Sequence, residues 1–137
     1  MKLIIGGYAQ GKLKYVLQNY CLGADSVWEG TLPTGKPAAE TLAGEDEAGV
    51  SPVVINRFHI WFRERLEAGE APEAVIREYV TGNPDCIIIS DEVGNGIVPV
   101  DALEREYRER LGRILVELAQ NAEEVVRVIC GLGQKIK

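Results

Sequence analysis

The chain has 137 residues, 46% of them hydrophobic and 26% charged, the balance of one compact domain over 1–137 rather than of two domains or a disordered tail. Fifteen Lys and Arg against twenty-one Asp and Glu leave a net charge of −6, which argues against a protein whose affinity comes from coating a nucleic-acid backbone. No apolar run nears the roughly 20 residues that span a bilayer, and Leu3-Ile4-Ile5 meets Gly6 too soon for a signal-peptide core. A cytoplasmic protein with neither a membrane nor a nucleic-acid partner is expected.

In chain order, Leu3-Ile4-Ile5 reads as a short buried strand, followed by a glycine-rich turn over Gly6 to Gly11 and a helix over Lys12 to Tyr20. Leu13, Val16, Leu17 and Tyr20 recur at helical spacing, so one stripe packs on a sheet while Lys14 and Gln18 stay wet. Val27 to Gly30 reads as a short strand. Pro33, Gly35, Pro37, Gly44 and Gly49 then break the pattern into an irregular loop over about 31–51, whose acids Glu40, Glu45, Asp46 and Glu47 form a solvated surface.

Val53-Val54-Ile55 suits a buried parallel strand, and a helix follows from about Arg57 to Ala68. A second helix starts near Pro72 and stops at Thr81, ahead of Gly82 and Pro84. Cys86 to Ser90 is the clearest buried strand and leads into Asp91-Glu92-Val93-Gly94. Asp101 to about Ala122 is a long amphipathic helix with Leu103, Tyr107, Leu111, Ile114, Leu115 and Leu118 on one side. Its other side carries the pairs Glu104/Arg108, Glu106/Arg110 and Glu109/Arg113. Val125 to Cys130 is a final strand, and the tail from Gly131 can add an edge strand. Strands alternating with helices at these lengths predict an α/β fold with a parallel sheet covered on both faces.

Gly6-x-x-x-x-Gly11-Lys12 has the spacing of a phosphate-binding loop, set between a strand and a helix as that motif requires. Gly6, Gly7, Tyr8, Ala9, Gln10 and Gly11 supply a turn whose backbone N–H groups face one anion, the helix N-terminus adds partial positive charge, and Lys12 adds a full one. The alternative is a glycine turn that merely packs a helix closely. Leu13 stands where the motif has Ser or Thr, whose hydroxyl holds Mg2+ against the phosphates. In open α/β sheets the ligand lies beyond the carboxyl ends of the strands, which selects Asn56 and the pair Asp91 and Glu92. Either acid can orient magnesium through water, act as a base, bind a sugar hydroxyl, or simply cap the strand end.

His59 is the single histidine, in the apolar run Phe58-His59-Ile60-Trp61-Phe62, where a packed structural role competes with a ligand contact or a nucleophile; Trp61 and Phe62 read as core. Cys21, Cys86 and Cys130 show no zinc-binding spacing and read as reduced thiols.

Asp91-Glu92-Val93-Gly94-Asn95-Gly96-Ile97-Val98-Pro99, then Tyr107-Arg108, Gly112-Arg113, Glu124-Val125-Val126 and the closing Gly131-Leu132-Gly133-Gln134-Lys135-Ile136-Lys137 resemble the C-terminal part of the adenosylcobinamide kinase/adenosylcobinamide-phosphate guanylyltransferase family of cobalamin biosynthesis. The glycine loop is similar to that family's phosphate loop, and Val53 to Asn56 with Trp61 to its next strand and helix. The resemblance implies a P-loop-type three-layer fold with a mostly parallel sheet. It also implies GTP or ATP as substrate, phosphorylation of adenosylcobinamide, GMP transfer through a guanylylated histidine, and a homo-oligomer.

On that footing Lys12 and the loop residues Gly6 to Leu13 hold the nucleotide, and Glu92 holds Mg2+ through water in place of the missing hydroxyl. Residues 21–50 contain no histidine, so the family's guanylylated histidine has no counterpart there. A catalytically silent nucleotide- or corrinoid-binding regulatory protein is the alternative reading.

Overall fold

A computed structural model describes residues 1–33, 52–94 and 96–137. The irregular loop expected at about 31–51, with its acidic cluster, lies outside the described residues from 34 onward. Six strands form one sheet among the described residues: β1 (Lys2–Gly6), β2 (Val27–Glu29), β3 (Val54–Asn56), β4 (Ile87–Asp91), β5 (Glu124–Ile129) and β6 (Leu132–Lys135), in the order β2-β3-β4-β1-β5-β6. All pairings are parallel except the β5–β6 hairpin. Four α-helices connect them: α1 (Lys12–Asn19), α2 (Phe58–Glu67), α3 (Pro72–Gly82) and α4 (Ala102–Asn121).

The two-residue alternation of the strands divides the core. Leu3, Ile55, Ile88 and Val125 turn to one face and pack with Phe58, Trp61, Phe62 and Leu66 of α2, Ile76 of α3, and Tyr107, Leu111, Ile114 and Leu118 of α4. Ile4, Val54, Ile87, Ile89, Val126 and Val128 turn to the other, where Val16 of α1 is fully buried and Leu13 and Tyr20 pack alongside. This is the expected three-layer α/β arrangement with a mostly parallel sheet. The central strands are apolar on both sides because helices cover both.

Element ends agree with the sequence reading to within a residue or two, and the tail from Gly131 does add an antiparallel edge strand. One side chain departs from it. Leu103, expected on one side of α4 with its apolar stripe, is 42% exposed; it falls in the first turn of the helix and lines a surface cleft with Arg63, Leu66 and Glu67 of α2. At that end the Asp101 carboxylate accepts from the Glu104 amide at 2.8 Å, an N-cap that fixes the start of α4.

Candidate functional site

β1 lies between β4 and β5, so its carboxyl end opens at the middle of the sheet edge. There the chain leaves Gly6 at φ 157. A Cβ on Gly6 would sit 2.4 Å from the Val128 carbonyl oxygen of the adjoining region of β5, so only glycine lets the chain turn there. The turn continues through Ala9 at φ 56 and Gly11 at φ 80 into the first residue of α1, Lys12. The amides of Gly11, Lys12, Leu13 and Lys14 precede the first intrahelical bond, which Tyr15 N–H makes to Gly11 O at 2.9 Å.

A pocket of about 540 Å³ opens on this loop, lined by Tyr8 through Lys14, by Asn56 at the end of β3 with Arg57, His59 and Ile60 beyond it, and by Asp91 at the end of β4. Two helix amino-termini border it, those of α1 and α2, with Lys12, Lys14 and Arg57 as cations and Asp91 as the sole lining carboxylate among the described residues. Lys12 is already matched by Asp91 and Arg57 faces Glu29 Oε2 at 3.8 Å, so in a chain of net charge −6 the positive character of this rim comes from Lys14 and the two helix termini.

Lys12 is only 8% exposed and its ammonium turns inward. It donates to the Gly7 carbonyl at 2.6 Å and pairs with Asp91 Oδ1 at 2.6 Å. The other carboxylate oxygen, Oδ2, lies 3.5 Å from His59 Nε2. His59 Nδ1 accepts the Asp91 backbone N–H at 3.1 Å, so the neutral ring carries its proton on Nε2, facing the carboxylate. Burial holds the imidazole pKa below its ordinary value, Asp91 opposing and Lys12 and Arg57 reinforcing that shift. The Tyr107 hydroxyl of α4 donates to the His59 carbonyl at 3.0 Å and fixes this turn of α2 from behind.

The expected residues separate on this map. Lys12, Leu13, Tyr8, Ala9, Gln10 and Gly11 line the pocket; Gly6 and Gly7 do not, Gly6 lying against Val128 and the Gly7 carbonyl accepting from the Lys12 ammonium. Glu92 lies elsewhere, its carboxylate on the Arg127 guanidinium at 2.8 Å. Asn56 is 9% exposed and donates to Glu29 Oε1 at 2.8 Å, which ties β3 to β2. Trp61 and Phe62 are core, as expected. Two relationships escaped the sequence reading. Asp91, rather than Glu92, meets Lys12, and Gln10 binds the tip of the β5–β6 hairpin. The hairpin itself had a signal, since Cys130-Gly131 between two extended runs is a turn of the X-Gly kind, but its contact with Gln10 had none.

A family model described as cobinamide kinase / cobinamide phosphate guanyltransferase matches residues 30–136. The chain belongs to this family. The matched span begins after the glycine loop, so β1 and its turn stand on their own geometry. Among curated relatives, the bifunctional adenosylcobalamin biosynthesis protein CobU of Escherichia coli (strain K12) is 36% identical over 81 residues, covering 56% of this chain and 44% of that protein. The protein of the same name from Salmonella typhimurium (strain LT2) is 45% identical over 51 residues, covering 37% of this chain and 28% of that protein. The chain thus spans less than half the length of either relative in these matches.

Leu13 offers no donor to a magnesium ion, and among the described residues no three His, Cys, Asp or Glu side chains cluster as a metal cage. Magnesium commonly takes one or two carboxylates and leaves the remaining positions to phosphates and water. Asp91 supplies one such carboxylate inside the pocket, so the residues fit a metal that arrives on a nucleotide.

Proposed function

We propose that the pocket at the carboxyl edge of the sheet binds the polyphosphate of a purine nucleotide, GTP or ATP, and that the chain uses it in cobalamin biosynthesis to phosphorylate adenosylcobinamide. The observation that carries this reading is that residues 8–14 of the glycine loop, Lys12 among them, and the first turns of α1 and α2 line one cavity, in a chain that belongs to the cobinamide kinase / cobinamide phosphate guanyltransferase family.

In this reading the loop amides and Lys12 hold the β- and γ-phosphates, and Arg57 and Lys14 draw the anion in from the rim. Asp91 would hold magnesium brought by the nucleotide, and the ion would supply neutralisation of charge developing on the phosphates. His59 steadies the Asp91 carboxylate; its ring is neutral and engaged with Asp91 at both nitrogens, which supports positioning rather than covalent guanylylation. The family's second reaction, GMP transfer, therefore finds no support in this histidine.

A second reading rests on Leu13: a nucleotide- or corrinoid-binding protein that keeps the seat and lacks turnover. Incubation with labelled GTP or ATP, magnesium and adenosylcobinamide separates the two. Phosphorylated product that disappears in Lys12→Ala supports the kinase. Nucleotide binding without product supports the silent protein. Absence of any nucleotide-dependent thermal shift in the native chain and in its Lys12→Ala variant sinks both nucleotide readings.

A further inference from the structure

The Lys12–Asp91 contact implies more than a resting position for the lysine. An ammonium buried to 8% exposure cannot stand without a counter-charge, and the groups meeting it are one loop carbonyl and one carboxylate. The carboxylate is itself held from two further directions, since its residue donates its amide to His59 Nδ1 and its Oδ2 faces His59 Nε2. Asp91 is therefore fixed at the place where a phosphate oxygen would meet the ammonium.

We propose that Asp91 is a resident counter-anion that competes with polyphosphate for Lys12, making it the residue that sets the affinity of this pocket for metal-free anions. Binding exchanges the Lys12–carboxylate pair for a Lys12–phosphate pair and leaves a carboxylate beside an incoming polyanion. Both terms oppose an anion that carries no cation of its own. The inference rests on the proposed polyphosphate site and deepens it by assigning the group that restrains it.

Calorimetric titration with inorganic tripolyphosphate in metal-free buffer tests this on the full chain, alongside thermal melting with and without the anion. Asp91→Asn is expected to bind at least about tenfold more tightly than the native chain, since the pair no longer has to be broken. It is also expected to melt lower without anion, because Lys12 has lost its partner, and to gain more in melting temperature when the anion is added. A purely structural role for Asp91 would lower the melting temperature and leave the affinity unimproved. Asp91→Ser provides the same measurement should the asparagine variant not fold. If the native chain binds tripolyphosphate through Lys12 and neither variant binds more tightly, the inference is overturned while the nucleotide site stands. If no form binds, Lys12→Ala included as control, the polyphosphate site itself is overturned.

Discussion

The Gln10 side-chain oxygen accepts the backbone N–H of Cys130 at 2.7 Å, and the Gln10 carbonyl accepts that of Gly131 at 2.9 Å. Cys130 and Gly131 are the two central residues of the β5–β6 turn, both at positive φ, as a type I′ turn demands. A single residue of the glycine loop thereby bolts that loop to the hairpin at the C-terminal end of the chain. Gln10→Ala removes one of the two bolts. The expected cost is about 0.5–1.5 kcal/mol in denaturant unfolding, with faster hydrogen exchange at the Cys130 amide and tripolyphosphate affinity reduced several-fold. Unchanged exchange at Cys130 would show that the contact does not restrain the hairpin.

Gly6 and Gly11 both have positive φ, yet they differ in what surrounds them. A methyl group on Gly6 meets a backbone oxygen at 2.4 Å, whereas on Gly11 its nearest neighbour is Gly131 Cα at 3.5 Å, an ordinary contact. Gly6→Ala is therefore expected to cost about 3 kcal/mol or more, because β1 and β5 must part. Gly11→Ala carries only the left-handed backbone penalty of about 1–2 kcal/mol. Equal losses in chemical denaturation would contradict this difference.

Tyr107 reaches across the core to the His59 carbonyl while buried to 3% exposure. Tyr107→Phe leaves that carbonyl without this donor at nearly constant volume. A loss of about 1–3 kcal/mol is expected, together with weaker polyphosphate binding, because the turn that carries His59 and borders Asp91 loosens. Burial also pushes the Tyr107 phenol up to about 12, so the hydroxyl remains a donor throughout the neutral range.

Acid sensitivity is expected at the seam between α3 and α4. Glu73 accepts two hydrogen bonds from Arg110, at 2.6 and 2.7 Å, and this partner holds its carboxyl below the ordinary value of 4.5. A carboxyl with a depressed folded-state pKa contributes stability that is complete above the unfolded value and is lost as pH falls through the folded one. Melting temperatures recorded between pH 6 and pH 3 should therefore fall less steeply in Glu73→Gln than in the native chain. Parallel curves would remove Arg110 as the cause.

Most of the architecture was legible because it is written in local periodicities. Ile87 to Ile89 is buried on both faces, as an unbroken apolar run implies, and α4 alternates apolar and paired charged residues at helical spacing. The glycine loop was legible from spacing and context. The choice between Asp91 and Glu92 was not, because neighbouring residues at a strand end point in opposite directions, and only the register Gly6↔Asp91 decides which one meets Lys12. Gln10 carried no signal of its own, since its partners lie about 120 residues away in sequence.

The cavity draws its walls from residues 8–14, from 56, 57, 59 and 60, and from 91, three stretches that meet only after β3, β4 and β1 have zipped together. Occupancy and global folding are consequently linked, and any anion selective for the assembled walls raises the unfolding free energy in proportion to the logarithm of its concentration above Kd. A fragment ending before β4 would retain the glycine motif intact and still lack the Asp91 wall, so the motif alone does not make this cavity.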